Sequence, residues 1–332
     1  MKIKPNEMVG CDAVNAHISK PIPSTLWHYT SYAGFQGIIS SKKIWTTEYR
    51  FLNDREEFRH AKNLAQKLVE EEPEVVGVAF RAREELRKAV GIAFNTGHLH
   101  EERLRLMVAS FSEEGDQLSQ WRGYADNSRG VSLGLDLTGI RPPSAVGTAV
   151  TFAPCVYKPV DKSELLKAVF AHYKKGLQAW WDSFMVNALK EQMKVGVPDP
   201  QLTQRLLSDN SQQLHEVVVR YNADLQYDLL RIAPLLKDES FFEEKEWRLV
   251  LPWENIKLPT NYPLQFRPIR DALVPYIAYP LNQPNQDGPI FCKGLILGSG
   301  SHSSAEVGVN LFFENQGIRV FARASKIPYR PT

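Results

Sequence analysis

The chain has 332 residues and a formal net charge of +2, with 43% hydrophobic and 23% charged residues. This length and composition predict a folded, soluble protein with a sizeable core. The near-neutral charge excludes a strong overall field for nucleic acid or membrane, although it is compatible with a local basic patch.

The cysteines and histidines give no metal or disulfide signature. Cys11, Cys155 and Cys292 are scattered and form no CxxC pair, so neither a structural zinc site nor a disulfide framework is expected. His98 and His100 form an H-x-H pair without further ligands nearby, which favours a solvated loop. The absence of both a zinc site and a disulfide framework is typical of a reducing cytoplasm, so we expect a cytoplasmic protein and no metal. We find no signal peptide and no apolar run long enough to span a bilayer, so no membrane contact is expected.

The first 25 residues are polar and contain Pro21 and Pro23, so residues 1–25 are predicted as an extended arm. The next stretch, residues 26–58, predicts a strand, a helix, a second strand over Ile44–Tyr49 and a second helix. Ser31 is the expected cap of the first helix, and Asp54 with Glu57 has the spacing of a capping box at the start of the second.

The middle of the chain predicts strands over residues 106–112, 130–136 and 151–157, and the second of these alternates cleanly. Between the first two lies SQWRGYAD (119–126), which predicts a polar turn containing a short helix. Arg122 there can hold a phosphate, and Trp121 or Tyr124 can stack on a flat ring, although for Trp121 we favour burial in the core.

Residues 162–237 change to a helical period and predict two long amphipathic helices, which we interpret as an antiparallel helical hairpin. Strands return at Glu246–Trp253, 276–280, 294–297 and 318–321, with a helix over Ala305–Asn315. We therefore predict one α+β domain over residues 26–332. Its split, mostly antiparallel sheet would carry outer helices and the helical insertion 162–237.

The segment FFEEKEWRLVLPW (241–253) is the most informative late stretch. As a strand, it places Glu246 and Arg248 on one face and Trp247 on the other. A carboxylate two residues from a guanidinium is typical of a cross-strand ion pair. The same pair can also be a catalytic acid with a charge partner.

Five motifs taken in order resemble a bacterial family known as domain of unknown function 2971. They are LWHYT (26–30), FLNDREEF (51–58), SFS (110–112), SQWRGYA (119–125) and EKEWR (244–248), and the ending SKIPYR (325–330) also fits. The resemblance spans about residues 25–330 and leaves the arm and the helical insertion unexplained. It implies a fold and a motif set, but no activity.

A more distant resemblance does imply an activity. The HYT strand and the helix that follows are similar to the start of ADP-ribosyltransferases, which place a His or Arg on the first strand, an aromatic on a middle element and a Glu on a late strand. His28, Tyr49 or Tyr124, and Glu246 occur here in that order, with Glu244 competing for the last place. The resemblance thus implies an ADP-ribosyltransferase-like fold.

The resemblance also implies roles for named residues, with NAD as substrate. His28, Tyr124 and Glu246 would be the catalytic set, with Glu246 stabilising positive charge on the ribose. His28 would hydrogen-bond the adenosine-side ribose beside Thr30, Tyr49 or Tyr124 would stack on nicotinamide, and Arg122 or Arg248 would neutralise the pyrophosphate. The residues expected to contact NAD are His28, Tyr29, Thr30, Tyr49, Asn53, Asp54, Ser119, Trp121, Arg122 and Arg248.

Three functions follow from these patterns. The first is an NAD-consuming transferase that modifies a macromolecule, nucleic acid or protein, as a toxin or antiviral defence effector. The second is a non-enzymatic module of a defence system that senses a nucleotide or binds nucleic acid in the same cleft. The third is a metal-dependent nuclease using Asp54, Glu57 and Glu246, although a helix start already accounts for Asp54 and Glu57.

Overall fold

A computed structural model describes residues 10–52, 56–71, 82–94, 105–140, 150–195, 211–253, 262–269, 272–281 and 292–329. The strands in these ranges are β1 (Leu26–Thr30), β2 (Lys43–Glu48), β3 (Arg105–Ser112), β4 (Val131–Leu135), β5 (Thr151–Pro154), β6 (Glu246–Trp253), β7 (Leu264–Ile269), β8 (Ala272–Pro280), β9 (Cys292–Leu297) and β10 (Ala322–Ala324). The helices are α1 (Asp12–Ile18), α2 (Tyr32–Ser41), α3 (Glu56–Glu71), α4 (Ala82–Phe94), α5 (Leu118–Tyr124), α6 (Pro159–Val195), α7 (Ser211–Ile232) and α8 (Ala305–Asn315).

The described strands form one sheet in the order β10-β9-β4-β1-β3-β2-β8-β7, with β6 on β3 and β5 on β6. Every pairing between these strands is antiparallel except that of β10 with β9. The predicted α+β class with a mostly antiparallel sheet is therefore confirmed.

Strand β3 is the branch point of the sheet. One edge of β3 pairs with β6 from Arg105 to Ser112, so β1 and β2 must share the other edge. β1 reaches it at Ser112, whereas β2 reaches it only at Met107 and Val108. The two strands therefore separate along β3, and this separation creates the candidate site.

Two apolar cores lie in different parts of the described chain. The first joins the sheet to α2 and α8, and it includes Leu26, Phe35, Leu133 and Phe313. The second joins α1, α3, α4, α6 and α7. Helices α6 and α7 contact each other, and Tyr173 Oη donates to Asn222 Oδ1 at 2.8 Å. They do not form a lobe by themselves, because three other helices share their core.

The N-terminal segment contains a helix where an extended arm was predicted. Helix α1 docks against α7, where the Cys11 N–H donates to Asp228 Oδ2 at 2.7 Å and Arg231 Nη2 donates to Asn15 Oδ1 at 2.7 Å. These buried polar partners belong to a distant part of the chain, so the local sequence gave no sign of them.

Several strands depart from the prediction, since β5 ends at Pro154 rather than at residue 157 and β8 begins at Ala272 rather than at residue 276. The last strand is β10, Ala322–Ala324, rather than residues 318–321, because Ile318 enters the core while Phe321 is 83% exposed. Strand β7 was not predicted. It carries Pro268, which a strand tolerates when it lies at the edge of a sheet, as β7 does. None of the helices in the described ranges is long and apolar enough to cross a bilayer.

Candidate functional site

A cavity of about 390 Å³ opens where β1 and β2 separate. Its lining comes from β1, α2, β2, β3, α5, the segment before β6, β6 itself and β7. These residues are Trp27, His28, Tyr29, Thr30, Ser31, Ala33, Gly34, Gly37, Ile38, Lys43, Ile44, Trp45, Thr47, Leu52, Val108, Ala109, Ser110, Gln120, Tyr124, Glu244, Glu246 and Arg267. Consecutive residues of β1 line it, so the cavity contacts both faces of the sheet.

His28 lies at the gap between β1 and β3. Its Nδ1 is 2.9 Å from the Ser110 carbonyl oxygen, and a carbonyl only accepts, so Nδ1 carries the proton in this bond. Burial, helped by the positive charge of Arg267, lowers the pKa of His28, against the raising effect of the Ser110 bond. The ring is therefore neutral near pH 7, which leaves Nε2 as a hydrogen-bond acceptor.

Helix α2 supplies a wall of small residues. Ser31 caps the helix as predicted, because its hydroxyl accepts from the Gly34 N–H at 3.1 Å. A Cβ on Gly34 would overlap the Thr30 hydroxyl, whereas a Cβ on Gly37 would meet nothing within 4 Å. The absence of a side chain at Gly34 thus lets Thr30 pack against the helix beside the cavity.

Helix α5 is fastened to β1 by Tyr29 and Trp121. The Tyr29 hydroxyl donates to the Glu114 carbonyl at 2.8 Å and accepts from the Gln117 N–H at 3.0 Å. Its ring packs edge-on against Trp121, with 5.0 Å between centroids. Trp121 is fully buried, as predicted. These contacts hold α5 so that Tyr124 lines the cavity.

Asp116 connects the two motifs SQWRGYA and SKIPYR. Its carboxylate accepts from Trp121 Nε1 at 2.8 Å, from the Ser325 hydroxyl at 2.5 Å and from the Lys326 N–H at 2.8 Å. Tyr329 then donates to Asn127 Oδ1 at 2.7 Å. The SKIPYR segment is therefore held against α5, which the SQWRGYA motif forms.

A buried cluster of charges lies where Glu244 and Glu246 line the cavity. Lys237 Nζ donates to Glu244 at 2.6 Å and to Glu246 at 2.7 Å. Arg248 donates to Glu246 through Nε at 2.7 Å and Nη2 at 2.9 Å, and to the Pro234 carbonyl at 2.7 Å. Burial raises the pKa of Glu246, but Arg248 and Lys237 outweigh it and bring this pKa to about 2. Glu246 is thus an ionised carboxylate with both oxygens engaged.

The cavity brings together five of the residues that the sequence singled out, namely His28, Tyr29, Thr30, Tyr124 and Glu246. Glu244 lines it as well, so the choice between Glu244 and Glu246 is one between two carboxylates on the same lysine. Asn53 and Asp54 lie outside the described residues, as do the side chain of Glu57, His98 and His100.

The other predicted contact residues that the structure describes are not part of the cavity lining. Tyr49 packs against the apolar cluster around Val108 and Leu230. Arg122 is exposed, with its guanidinium 4.8 Å from the centre of the Tyr329 ring. Trp121 is a core residue and Ser119 neighbours it on α5, while Arg248 is committed to Glu246 and Pro234.

Sequence reasoning missed Trp45, Thr47, Lys237 and Arg267. Trp45 and Thr47 alternate on a predicted strand, so their shared face was available as a signal. Lys237 follows an apolar run, and Arg267 lies on a strand that was not predicted. For these two, the sequence offered no local pattern. Within the described part of the chain, no group of three His, Cys, Asp or Glu residues could hold a metal ion.

Residues 120–249 match a family model described as "Protein of unknown function (DUF2971)". The resemblance to that family is therefore shown over the segment that contains most of SQWRGYA and all of EKEWR. No curated protein and no solved structure matches the chain.

Proposed function

We propose that the chain is an ADP-ribosyltransferase that consumes NAD and modifies a macromolecule, either nucleic acid or protein. The observation that supports this most is that His28, Tyr124 and Glu246, three residues from distant segments, line one cavity. The cavity volume of about 390 Å³ falls in the range of small-molecule sites, about 300–1,000 Å³. Such a protein would act as a toxin or as an antiviral defence effector.

The reaction exchanges one bond at the ribose carbon of NAD that bears nicotinamide. The bond from this carbon to the nicotinamide nitrogen breaks, and nicotinamide leaves with the electron pair. A lone pair of the acceptor forms the new bond, and the acceptor loses its proton to solvent. Positive charge develops on the ribose as the first bond breaks, and a fixed carboxylate stabilises it.

Glu246 fits this electrostatic role better than the role of a general base. Its pKa of about 2 keeps it ionised at every physiological pH, so it accepts hydrogen bonds but has little tendency to take a proton. Lys237 and Arg248 fix its position, which removes the cost of orienting it during the reaction. It would hold a ribose hydroxyl and face the developing charge.

His28 and Tyr124 complete the proposed site. The neutral imidazole of His28 offers Nε2 as an acceptor for a hydroxyl of the adenosine-side ribose, with Thr30 beside it. Tyr124 provides an aromatic face on which nicotinamide would stack.

Nicotinamide release from NAD by the purified protein tests this proposal. Wild type, Glu246→Gln and Tyr124→Ala are assayed with and without DNA, RNA and cell lysate. Glu243→Gln is the matched control, because Glu243 is an exposed carboxylate three residues before Glu246. We expect release by wild type and by the control, and a loss of roughly a hundredfold in Glu246→Gln. Dependence on one additive identifies the acceptor class. Equal release by a folded Glu246→Gln would contradict the proposal.

One observation favours a second candidate, a module that senses a nucleotide or binds nucleic acid without catalysis. The Glu246 carboxylate already accepts three hydrogen bonds from cations, and its ion pairs complete a buried structural cluster. Such a module binds NAD or ADP-ribose in calorimetry and releases no nicotinamide in any mixture. Expression in cells separates the two further, because growth arrest relieved by Glu246→Gln requires the transferase.

A further inference from the structure

Arg267 on β7 brings a guanidinium to the cavity from a part of the chain that carries none of the motifs. Its Nη2 donates to the Thr47 hydroxyl at 3.0 Å. Among the described residues, its Nε is buried and has no hydrogen-bond partner. A buried donor without an acceptor costs free energy. A ligand that supplies the acceptor removes this cost and therefore binds more tightly.

Two aromatic rings of neighbouring strands hold this guanidinium. Its central carbon lies 5.1 Å from the centre of the Trp45 ring on β2 and 5.9 Å from that of Tyr276 on β8. The two rings pack on each other, with 4.6 Å between centroids. Cation–π contact with fixed rings orients the guanidinium before any ligand arrives, which lowers the entropy cost of binding.

The arginines that the sequence pointed to are less suited to bind a phosphate in this cavity. Arg248 is held by Glu246 and the Pro234 carbonyl, so its charge is already matched. Arg122 is exposed and stacks on Tyr329, outside the described lining. Arg267 lines the cavity itself, and its charge is close enough to His28 to lower the pKa of that imidazole. A neutral His28 avoids two like charges side by side.

We propose that Arg267 binds a phosphate group of the ligand, so that the cavity selects nucleoside diphosphates and their derivatives over nucleosides. The inference rests on the proposed function in taking this cavity as the nucleotide site. Guanidinium groups pair with phosphate oxygens through charge-assisted hydrogen bonds, for which Nε is available here. Trp45 is a positioning residue, because it acts through Arg267.

Calorimetry with ADP-ribose, ADP and adenosine measures this selection without any chemistry. We compare wild type, Arg267→Gln and Arg267→Lys, with Arg323→Gln as the control that removes one exposed positive charge from β10 of the same sheet. We expect Arg267→Gln to bind ADP-ribose and ADP about ten- to a hundredfold more weakly, and adenosine equally well. Arg267→Lys should lose less, since it keeps the charge. The control should bind all three ligands like wild type.

Several outcomes would overturn the inference. An unchanged ratio of ADP to adenosine affinity in Arg267→Gln is one, whether neither affinity changes or both fall equally. If Arg267→Gln does not fold, competition in wild type decides, because inorganic pyrophosphate must displace ADP-ribose. Failure of pyrophosphate to compete, or failure of wild type to bind any nucleotide, overturns the inference. Phosphate selection through Arg267 without nicotinamide release would support this inference while contradicting the transferase.

Discussion

The imidazole of His28 bridges the gap between β1 and β3, with its Nδ1 2.9 Å from the carbonyl oxygen of Ser110. Within the described ranges, Ser110 lies between the point where β1 pairs with β3, at Ser112, and the point where β2 does, at Val108, and is paired with neither strand. The side chain thus takes the place of a strand partner for one backbone carbonyl. A single residue serves both the sheet and the cavity.

The state of His28 predicts a pH dependence of stability. Its pKa is lowered from 6.5 in the folded protein, so the unfolded chain binds a proton at a higher pH than the folded chain does. Stability therefore falls as pH drops below about 6.5 towards the lowered pKa. We expect His28→Gln to lose less stability than wild type between pH 7 and 5 in urea unfolding. The control His302→Gln, at an exposed position, should follow wild type. If the free energy of unfolding depends on pH in the same way for wild type and His28→Gln, burial does not keep His28 neutral.

We expect replacement of Lys237 to lower stability strongly, because its side chain is fully buried and bonded to Glu244 and Glu246. Lys237→Met leaves two carboxylates buried with one cation fewer, and removing one partner of a buried ion pair costs about 3–5 kcal/mol. Urea unfolding measures the loss, and adding Glu244→Gln should recover part of it. Lys293→Met is the control, because the pair of Lys293 with Asp136 is partly exposed to solvent, whereas the Lys237 side chain is fully buried. A loss no larger than that of the control would contradict a tightly coupled cluster.

Two glycines of α2 predict opposite outcomes for the same substitution. Gly37→Ala adds a methyl group where nothing lies within 4 Å, so the better helix propensity should raise stability by roughly 0.5–1 kcal/mol. Gly34→Ala drives the new methyl group into the Thr30 hydroxyl, whose branched side chain has few alternative rotamers. We expect Gly34→Ala to lower the melting temperature and weaken nucleotide binding. Equal melting temperatures for the two variants would contradict the close packing of Thr30 on α2.

We expect Asp116 to protect residues 325–329 from hydrogen exchange. Asp116→Ala removes the acceptor of Ser325 and Lys326, so residues 325–329 should lose protection from hydrogen exchange. The loss should extend to α5, because Trp121 loses its acceptor at the same time. The comparison is Asp136→Ala, which removes a half-buried carboxylate from contacts with Thr138 and Lys293, away from residues 325–329. Protection unchanged in both segments would show that Asp116 does not hold them.

The local elements could be predicted because their signals are local. Ser31 caps α2 through the hydroxyl that the sequence offers, and Trp121 is buried as its bulk requires. The residues of the cavity come from distant parts of the sequence and were harder to predict. His28, Tyr124 and Glu246 were selected through a family resemblance, whereas periodicity alone selects none of them.

What the sequence could not predict depends on partners from distant strands. Arg267 reaches the cavity only because β7 pairs with β8 and β8 with β2, and no spacing in the chain encodes that order. Lys237 is buried only because Glu244 and Glu246 neutralise it. In both cases a charged side chain lies where hydropathy alone would not put it.

The gap between β1 and β2 allows consecutive residues of β1 to contact the same ligand. In a continuous sheet, a ligand on one face contacts every second residue of a strand, and the intervening residues are reserved for the opposite layer. Here Trp27, His28, Tyr29 and Thr30 all contribute, one after another. A mutational library aimed at changing the preferred ligand should therefore randomise consecutive codons of this strand rather than every second one.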